Sequence, residues 1–344
     1  MLRSWSSHAK PPSSVALVAN DAIGNYAIAS GLAAMMRAEW RPRRLELWSG
    51  DRVADFAVDP RPFDRVHMFL RQPAGAVEDL VRAASTDHDL VVNIENSPEA
   101  KRLAVLLAGP STCLCGPATD RSGADLPWPD DAAGRLWADP AWTSEDLLRR
   151  HPFLRSQFIG ELFARLAGLT GELLPPVVRR SPAPAGGPDV VIAMSASLPD
   201  KLWPLASWRA AISSLRDEHG LAAGLVGAKP SAQRGHWLGS DAEDAIVGEG
   251  LVRDLRGTLT LPQVADLVDR ARLVITLDNG IMHLAATSPT PVVALFRHGI
   301  HRLWAPRWGR VEPVVAPQGS TVEAIPVPEV LAAAGRAALT PSGS

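Results

Sequence analysis

The residues with the clearest chemical promise lie in LeuAspAsnGlyIleMetHisLeuAlaAla, 277–286. An apolar run ends at Asp278, Asn279-Gly280 turns the chain, and a short helix follows. Backbone N–H groups at such a helix start, with the helix dipole behind them, attract an anion. Gly280 lets a phosphate come close to the backbone. His283, one turn into the helix, is a donor for the same group. The same residues also read as an ordinary turn in which Asp278 only caps the helix. Cysteine offers no comparable site. Cys113 and Cys115 share a face of an extended segment, too far apart to bridge easily, with no further ligand nearby for zinc. They fit buried thiols in a reducing compartment.

The elements that must position these residues follow from pattern. The chain has 344 residues, 46% of them hydrophobic and 21% charged, with a net charge of −2. That length favours two domains, and the apolar content excludes wholesale disorder. The near-neutral balance argues against a dedicated nucleic-acid binder. Residues 1–14 are polar and Pro/Ser-rich, expected to be disordered, and lack the apolar core of a signal peptide. No apolar run approaches the roughly 18 residues of a membrane span. A cytoplasmic protein without a transmembrane segment is expected.

From residue 15 the chain alternates strand and helix: strands at 15–20, 43–50, 64–70, 89–95 and 113–117, with helices at 28–40, 75–85 and 97–109. Residues 20–25 read as a turn-prone loop and 117–145 as irregular. A long amphipathic helix is expected at 152–169. Pro and Gly crowd 171–188, which reads as a linker. The alternation then restarts, with strands at 189–197, 221–228, 272–280 and 291–296. Helices are expected at 204–220, 259–271, 281–288 and 328–339. The expected domains are therefore 15–170 and 189–325, with a closing helix and tail at 326–344. Two Rossmann-like α/β halves imply a cleft, with ligands at the carboxyl ends of strands.

Residues 255–286 resemble the signature region of glycosyltransferase family 9, which includes the ADP-heptose:lipopolysaccharide heptosyltransferases. The resemblance rests on Gly257, Thr258, Leu261, Ala265, Asp278, Gly280, His283, Ala285 and Ala286. ThrProValValAlaLeuPhe, 290–296, and Trp304-Ala305-Pro306 continue it. SerAlaSerLeuProAspLysLeuTrpPro, 195–204, is similar to the family's phosphate loop. It implies Lys201 as a point charge and Ser195 or Ser197 as donors for a diphosphate. The bare residues equally allow an exposed Lys201 above a packed Trp203. Residues 15–29 resemble the first strand and loop, but Asn25 follows Gly24 where the family usually has a catalytic Asp. An amide cannot take a proton as a carboxylate does, so Asp21 and Glu95 become candidate bases beside Asn25. Residues 87–97 also resemble a family strand, implying Asn93, Glu95, Asn96 and Ser97 as acceptor contacts, together with Gly24 of the first loop. Ser97 ahead of Pro98 also reads as a helix cap. The loop after the 221–228 strand lacks the acidic residue that usually holds the nucleotide ribose.

The resemblance implies a GT-B α/β fold, two Rossmann-like domains facing across a cleft. It implies transfer of a heptose-like sugar from a nucleotide-diphosphate donor, ADP-heptose for example, to a glycan or glycolipid hydroxyl. Neither metal nor other cofactor is expected, because Lys201, backbone N–H groups near Gly280 and His283 would meet the leaving charge. The partners are a nucleotide sugar and an acceptor at the inner membrane surface, with peripheral association there. Asn25 motivates an alternative, a catalytically silent sugar-nucleotide-binding protein. Arg37, Arg41, Arg43 and Arg44 form the clearest local basic cluster, read against a solvated helix end. Trp128, Trp137 and Trp142 either line an acceptor groove or pack loops onto the core.

Overall fold

The computed structural model describes residues 10–59, 61–84, 87–120, 122–233 and 237–339. Residues 1–9 of the expected disordered segment and the end of the tail lie outside the described residues. The chain divides into two compact units between Arg179 and Arg180.

The N-terminal unit holds five parallel strands: β1 Ser14–Val18, β2 Arg44–Ser49, β3 Arg65–Met68, β4 Leu90–Asn93 and β5 Cys113–Cys115. Their order is β3-β2-β1-β4-β5. The C-terminal unit holds β6 Val190–Ala193, β7 Ala223–Leu225, β8 Arg253–Asp254, β9 Leu273–Leu277, β10 Val292–Phe296 and β11 Val311–Val315. Its order is β11-β10-β9-β6-β7-β8, again all parallel. Both sheets reverse direction at one point, between β1 and β4 and between β6 and β9. Loops diverge there and leave a crevice at the carboxyl edge, the usual ligand position in such sheets.

Central strands read as Val/Leu/Ile runs because both faces are covered; β6 and β9 are wholly buried. The helix Leu205–His219 ends where Gly220 adopts φ 65°. The helix Leu261–Arg270 starts at a capping box: Thr260 and Gln263 satisfy each other's backbone N–H, with Pro262 in the first turn. Gly257, at φ 63°, could not carry a Cβ, which would meet the Lys229 backbone N at 2.9 Å. Among the described residues no helix is long and apolar enough to cross a membrane.

Some expectations change. The first helix spans Ile23–Glu39, five residues earlier than the apolar pattern indicated. The Asn20 side chain accepts from the Ala22 N–H at 2.9 Å, a local turn that lets helix start at once. Gly24 and Asn25 therefore lie in its first turn, not in a loop. Of the expected 152–169 helix only Ile159–Leu166 forms, and residues 152–158 are not helical. A separate short helix, Leu147–Arg150, precedes it, and Pro152 keeps His151 beyond its end out of helical geometry (φ −127°, ψ 74°). Residues 117–145 contain the helix Ala132–Ala138, capped by Asp131. The helices Ser240–Gly248 and Ile300–Trp304, with β8 and β11, are further elements the pattern did not reveal. Residues 171–188 form no helix or strand, yet they are tied down. Val177 exchanges hydrogen bonds with Ser30 through both its N–H and its carbonyl, and Ala183 N donates to Asp266.

One buried polar cluster sits in the N-terminal sheet. Glu46 is 0% exposed, and its carboxylate lies 3.3 Å from His67 Nε2 and 3.8 Å from His88 Nε2. Burial lowers the His88 pKa to about 4, against the pull of Glu46. Burial pushes Glu46 up, but the imidazoles and Arg44 outweigh it and leave its pKa below the usual value. A folded state that binds fewer protons than the unfolded chain loses stability as pH falls. For His88 that loss begins near its unfolded value, about 6.5, and levels off below about 4. The thermal midpoint of the N-terminal unit should therefore fall as pH drops from 6.5 to 4. His88→Gln should flatten that dependence in a calorimetric pH series.

Candidate functional site

At the carboxyl edge of the second sheet, the loops after β6, β9 and β10 converge. Asp278 directly follows β9 and is 6% exposed. Lys201, last in the turn Pro199–Lys201 after β6, places Nζ 2.7 Å from Asp278 Oδ2 and 3.4 Å from the Asp278 carbonyl. The exposed-lysine alternative is thus not what the structure shows: Lys201 is 15% exposed and paired. Trp203 is buried, donates Nε1 to the Ile325 carbonyl at 2.9 Å, and meets Trp208 edge-on.

The cap of the helix Gly280–Ala285 is Asn279 rather than Asp278. Its Oδ1 accepts from Met282 N, while its Nδ2 donates to the Ser195 carbonyl at 3.0 Å. Asn279 thus locks the β9 loop to the β6 loop, and Asp278 is left for Lys201. Gly280 opens the helix. Ser195 is half-buried and Ser197 exposed. His283 is buried, edge-on to Trp304 at 6.1 Å. Burial lowers its pKa to about 4, opposed by Asp278 and reinforced by Lys201, so it is neutral at pH 7. Among the described residues its Nδ1 has no hydrogen-bond partner.

Sequence reasoning missed Arg297, the residue after β10, which pairs with Asp200. The same carboxyl-end rule that selected Asp278 would have found it. Among the described residues, Asp200 Oδ1, His283 Nδ1, Arg297 Nε and His301 Nδ1 are buried at this edge without hydrogen-bond partners, and Asp278 Oδ2 has only its ion pair to Lys201. Unsatisfied atoms gathered on adjacent loops mark a place where a polar ligand would be favourable.

At the matching edge of the first sheet, Asp21 is 3% exposed and is pinned by the Arg71 guanidinium and the Arg52 N–H. Burial raises its pKa, but those bonds outweigh it and hold the carboxyl below the usual range. Arg71 also pairs with Asp51. Asp21 is therefore a poor proton acceptor. Glu95, half-buried after β4, accepts from Asn20 Nδ2 at 2.5 Å and from Ser97 N at 3.0 Å. Those donors are neutral. Asn25 is half-buried and Gly24 buried in the first helical turn.

The acceptor set divides. Asn93 is 0% exposed, and both ends of its amide are used internally, by the Pro117 carbonyl and by Glu95 N. Ser97 caps the helix Pro98–Leu107 through Ala100 N. Both residues shape the loop; Asn96 is exposed. Trp128 and Trp137 stack at 5.3 Å, Trp142 and Phe163 close around Trp137, and Trp142 Nε1 donates to the Leu136 carbonyl. The indoles pack the irregular stretch onto the helix Ile159–Leu166. Arg37, Arg43 and Arg44 bond nearby carbonyls and hydroxyls, so they brace structure. Among the described residues no three His, Cys, Asp or Glu side chains are grouped to hold a metal.

Residues 177–321, most of the C-terminal unit and the whole edge just described, match the model of glycosyltransferase family 9 (heptosyltransferase). Over that stretch the chain is similar to glycosyltransferase family 9 (heptosyltransferase). Lipopolysaccharide heptosyltransferase 3 of Escherichia coli is 38% identical over 55 residues, a match covering 16% of each chain. A family 9 glycosyltransferase from Veillonella parvula shares the fold, with TM-score 0.72, 12% identity and coverage of 97% and 99% of the two chains. ADP-heptose lipopolysaccharide heptosyltransferase II of E. coli does so with TM-score 0.67, 16% identity and coverage of 95% and 98%. The chain thus shares with these structures an α/β fold of two parallel sheets with helices.

Removing Lys201 leaves a buried carboxylate unpaired, which costs more than the pair itself contributes. Lys201→Met should lower the unfolding free energy by roughly 3–5 kcal/mol. Adding Asp278→Asn should recover part of that loss, as read by urea denaturation.

Proposed function

We propose that the protein transfers a heptose-like sugar from a nucleotide-diphosphate donor to a hydroxyl of a glycan or glycolipid, without a metal. The Lys201–Asp278 pair beside neutral, buried His283 carries this reading. It is a preorganised cation and donor set at the switch point of the family-matched unit. The ADP-heptose named for E. coli heptosyltransferase II is the donor to try first.

In the reaction, the acceptor oxygen forms a bond to the anomeric carbon as that carbon's bond to the phosphate oxygen breaks. The diphosphate leaves with the bonding electrons. Lys201 meets the developing charge, and N–H groups near Gly280 with Ser195 or Ser197 donate to it. His283, being neutral, acts as a hydrogen-bond donor rather than a second cation. Glu95 takes the acceptor proton, because only neutral donors hold its carboxylate whereas Asp21 is committed to the Arg71 guanidinium. Gly24 and Asn96 are the remaining candidates for acceptor contact. A membrane-borne acceptor would bring the protein to the cytoplasmic face of the inner membrane. The catalytically silent alternative gains no support from the family match.

The protein should release nucleotide from one member of a nucleotide-sugar panel only when acceptor extract is present, with no loss in EDTA. Binding without turnover would establish the silent protein instead. Lys201→Ala and His283→Ala should each weaken binding of the corresponding nucleoside diphosphate; unchanged affinity in both removes the site assignment. Glu95→Gln should cut turnover by about 10²–10⁴-fold. If Asp21→Asn slows turnover as much while Glu95→Gln does not, the base assignment is wrong.

A further inference from the structure

Asp200 and Lys201 are adjacent residues of the turn Pro199–Lys201, yet their side chains are tied to different strands. Asp200 pairs with Arg297, just past β10, and Lys201 pairs with Asp278, just past β9. The turn has little of its own to hold it. It has no side-chain cap, and its backbone bonds, Lys201 N to the Leu198 carbonyl and Leu202 N to the Pro199 carbonyl, stay inside it. Leu198 before it is 45% exposed. A lysine on a four-carbon stem keeps many rotamers, so its ammonium is only as well placed as the backbone that carries it. The ion pair from Arg297 Nη1 to Asp200 Oδ2 supplies that restraint, because it ties the neighbouring residue of the turn to the end of another strand.

We propose that Asp200 and Arg297 are positioning residues for the donor diphosphate. Their ion pair clamps the Pro199–Lys201 turn so that Lys201 stays over Asp278, where the phosphates bind. The inference rests on the donor-site reading above and extends it to a pair that sequence patterns did not single out. It differs from direct contact in one consequence. If Arg297 touched the phosphates itself, removing Asp200 would free its charge and tighten binding. If the pair is a clamp, removing either partner has the same cost.

The test is calorimetric titration of the full chain with ADP, UDP, GDP and CDP, on wild type, Asp200→Ala, Arg297→Ala, Arg297→Lys and the double alanine variant. Each alanine variant should weaken the nucleotide that wild type binds by about tenfold, and the double variant should lose no more than either single. Arg297→Lys should fall between, and thermal midpoints should stay within about 3 °C of wild type. Asp200→Ala binding as tightly as wild type or tighter, additive losses in the double variant, or losses matched by larger drops in midpoint would each overturn the clamp. If wild type binds none of the four, the donor reading fails and this inference with it. Wild-type binding that the variants leave unchanged removes this inference alone.

Discussion

The parallel pairing of β6 with β9, Val190↔Leu273 through Ala193↔Thr276, is the constraint on which the site depends. Two adjacent strands running the same way deliver their following loops side by side. Residues some eighty positions apart in sequence then meet: Lys201 with Asp278, and Asn279 with the Ser195 carbonyl. The β1–β4 pair does the same in the N-terminal unit, where Asn20 reaches Glu95. In each sheet this is also where strand order reverses, so the loops are not covered by a crossing connection.

Electrostatics then sorts residues that look alike. Asp21 and Glu95 are both carboxylates just past a central strand. One is held by a guanidinium and kept below the usual carboxylate range, while the other is held by an amide and a backbone N–H. Lys201 and His283 are both potential cations at one edge. Lys201 has a carboxylate beside it, whereas burial keeps His283 neutral. Low dielectric makes these distinctions large, because each buried charge needs its own partner.

The site was legible where chemistry is local. Strand LeuValIleThrLeu, 273–277, followed by Asp-Asn-Gly could hardly be anything but a strand leaving a sheet at a turn. Thr260, Pro262 and Gln263 announced a helix start in the same way. The acceptor side was legible only in part. Asn93 has the right type and position, but its amide is taken up by the Pro117 carbonyl and Glu95 N, neither of which the sequence shows to be near. The 152–169 pattern was apolar at helical spacing, yet only Ile159–Leu166 of it is helical. The eleven tryptophans, odd by count, include three whose role is to pack on one another and on Phe163.

The sequence by itself determined the alternating α/β character, the restart after the Pro-rich stretch, and the residue types at strand ends that a phosphate would need. These depend on periodicity and turn chemistry within a few residues. Only the tertiary structure decided which of those residues are committed. It assigned the cap to Asn279 and the ion pair to Asp278. It bound Asp21 to Arg71, and it set Arg297 against Asp200. The reason is physical: a charged side chain's role follows from its partner and its burial, and both are fixed by which strands lie side by side.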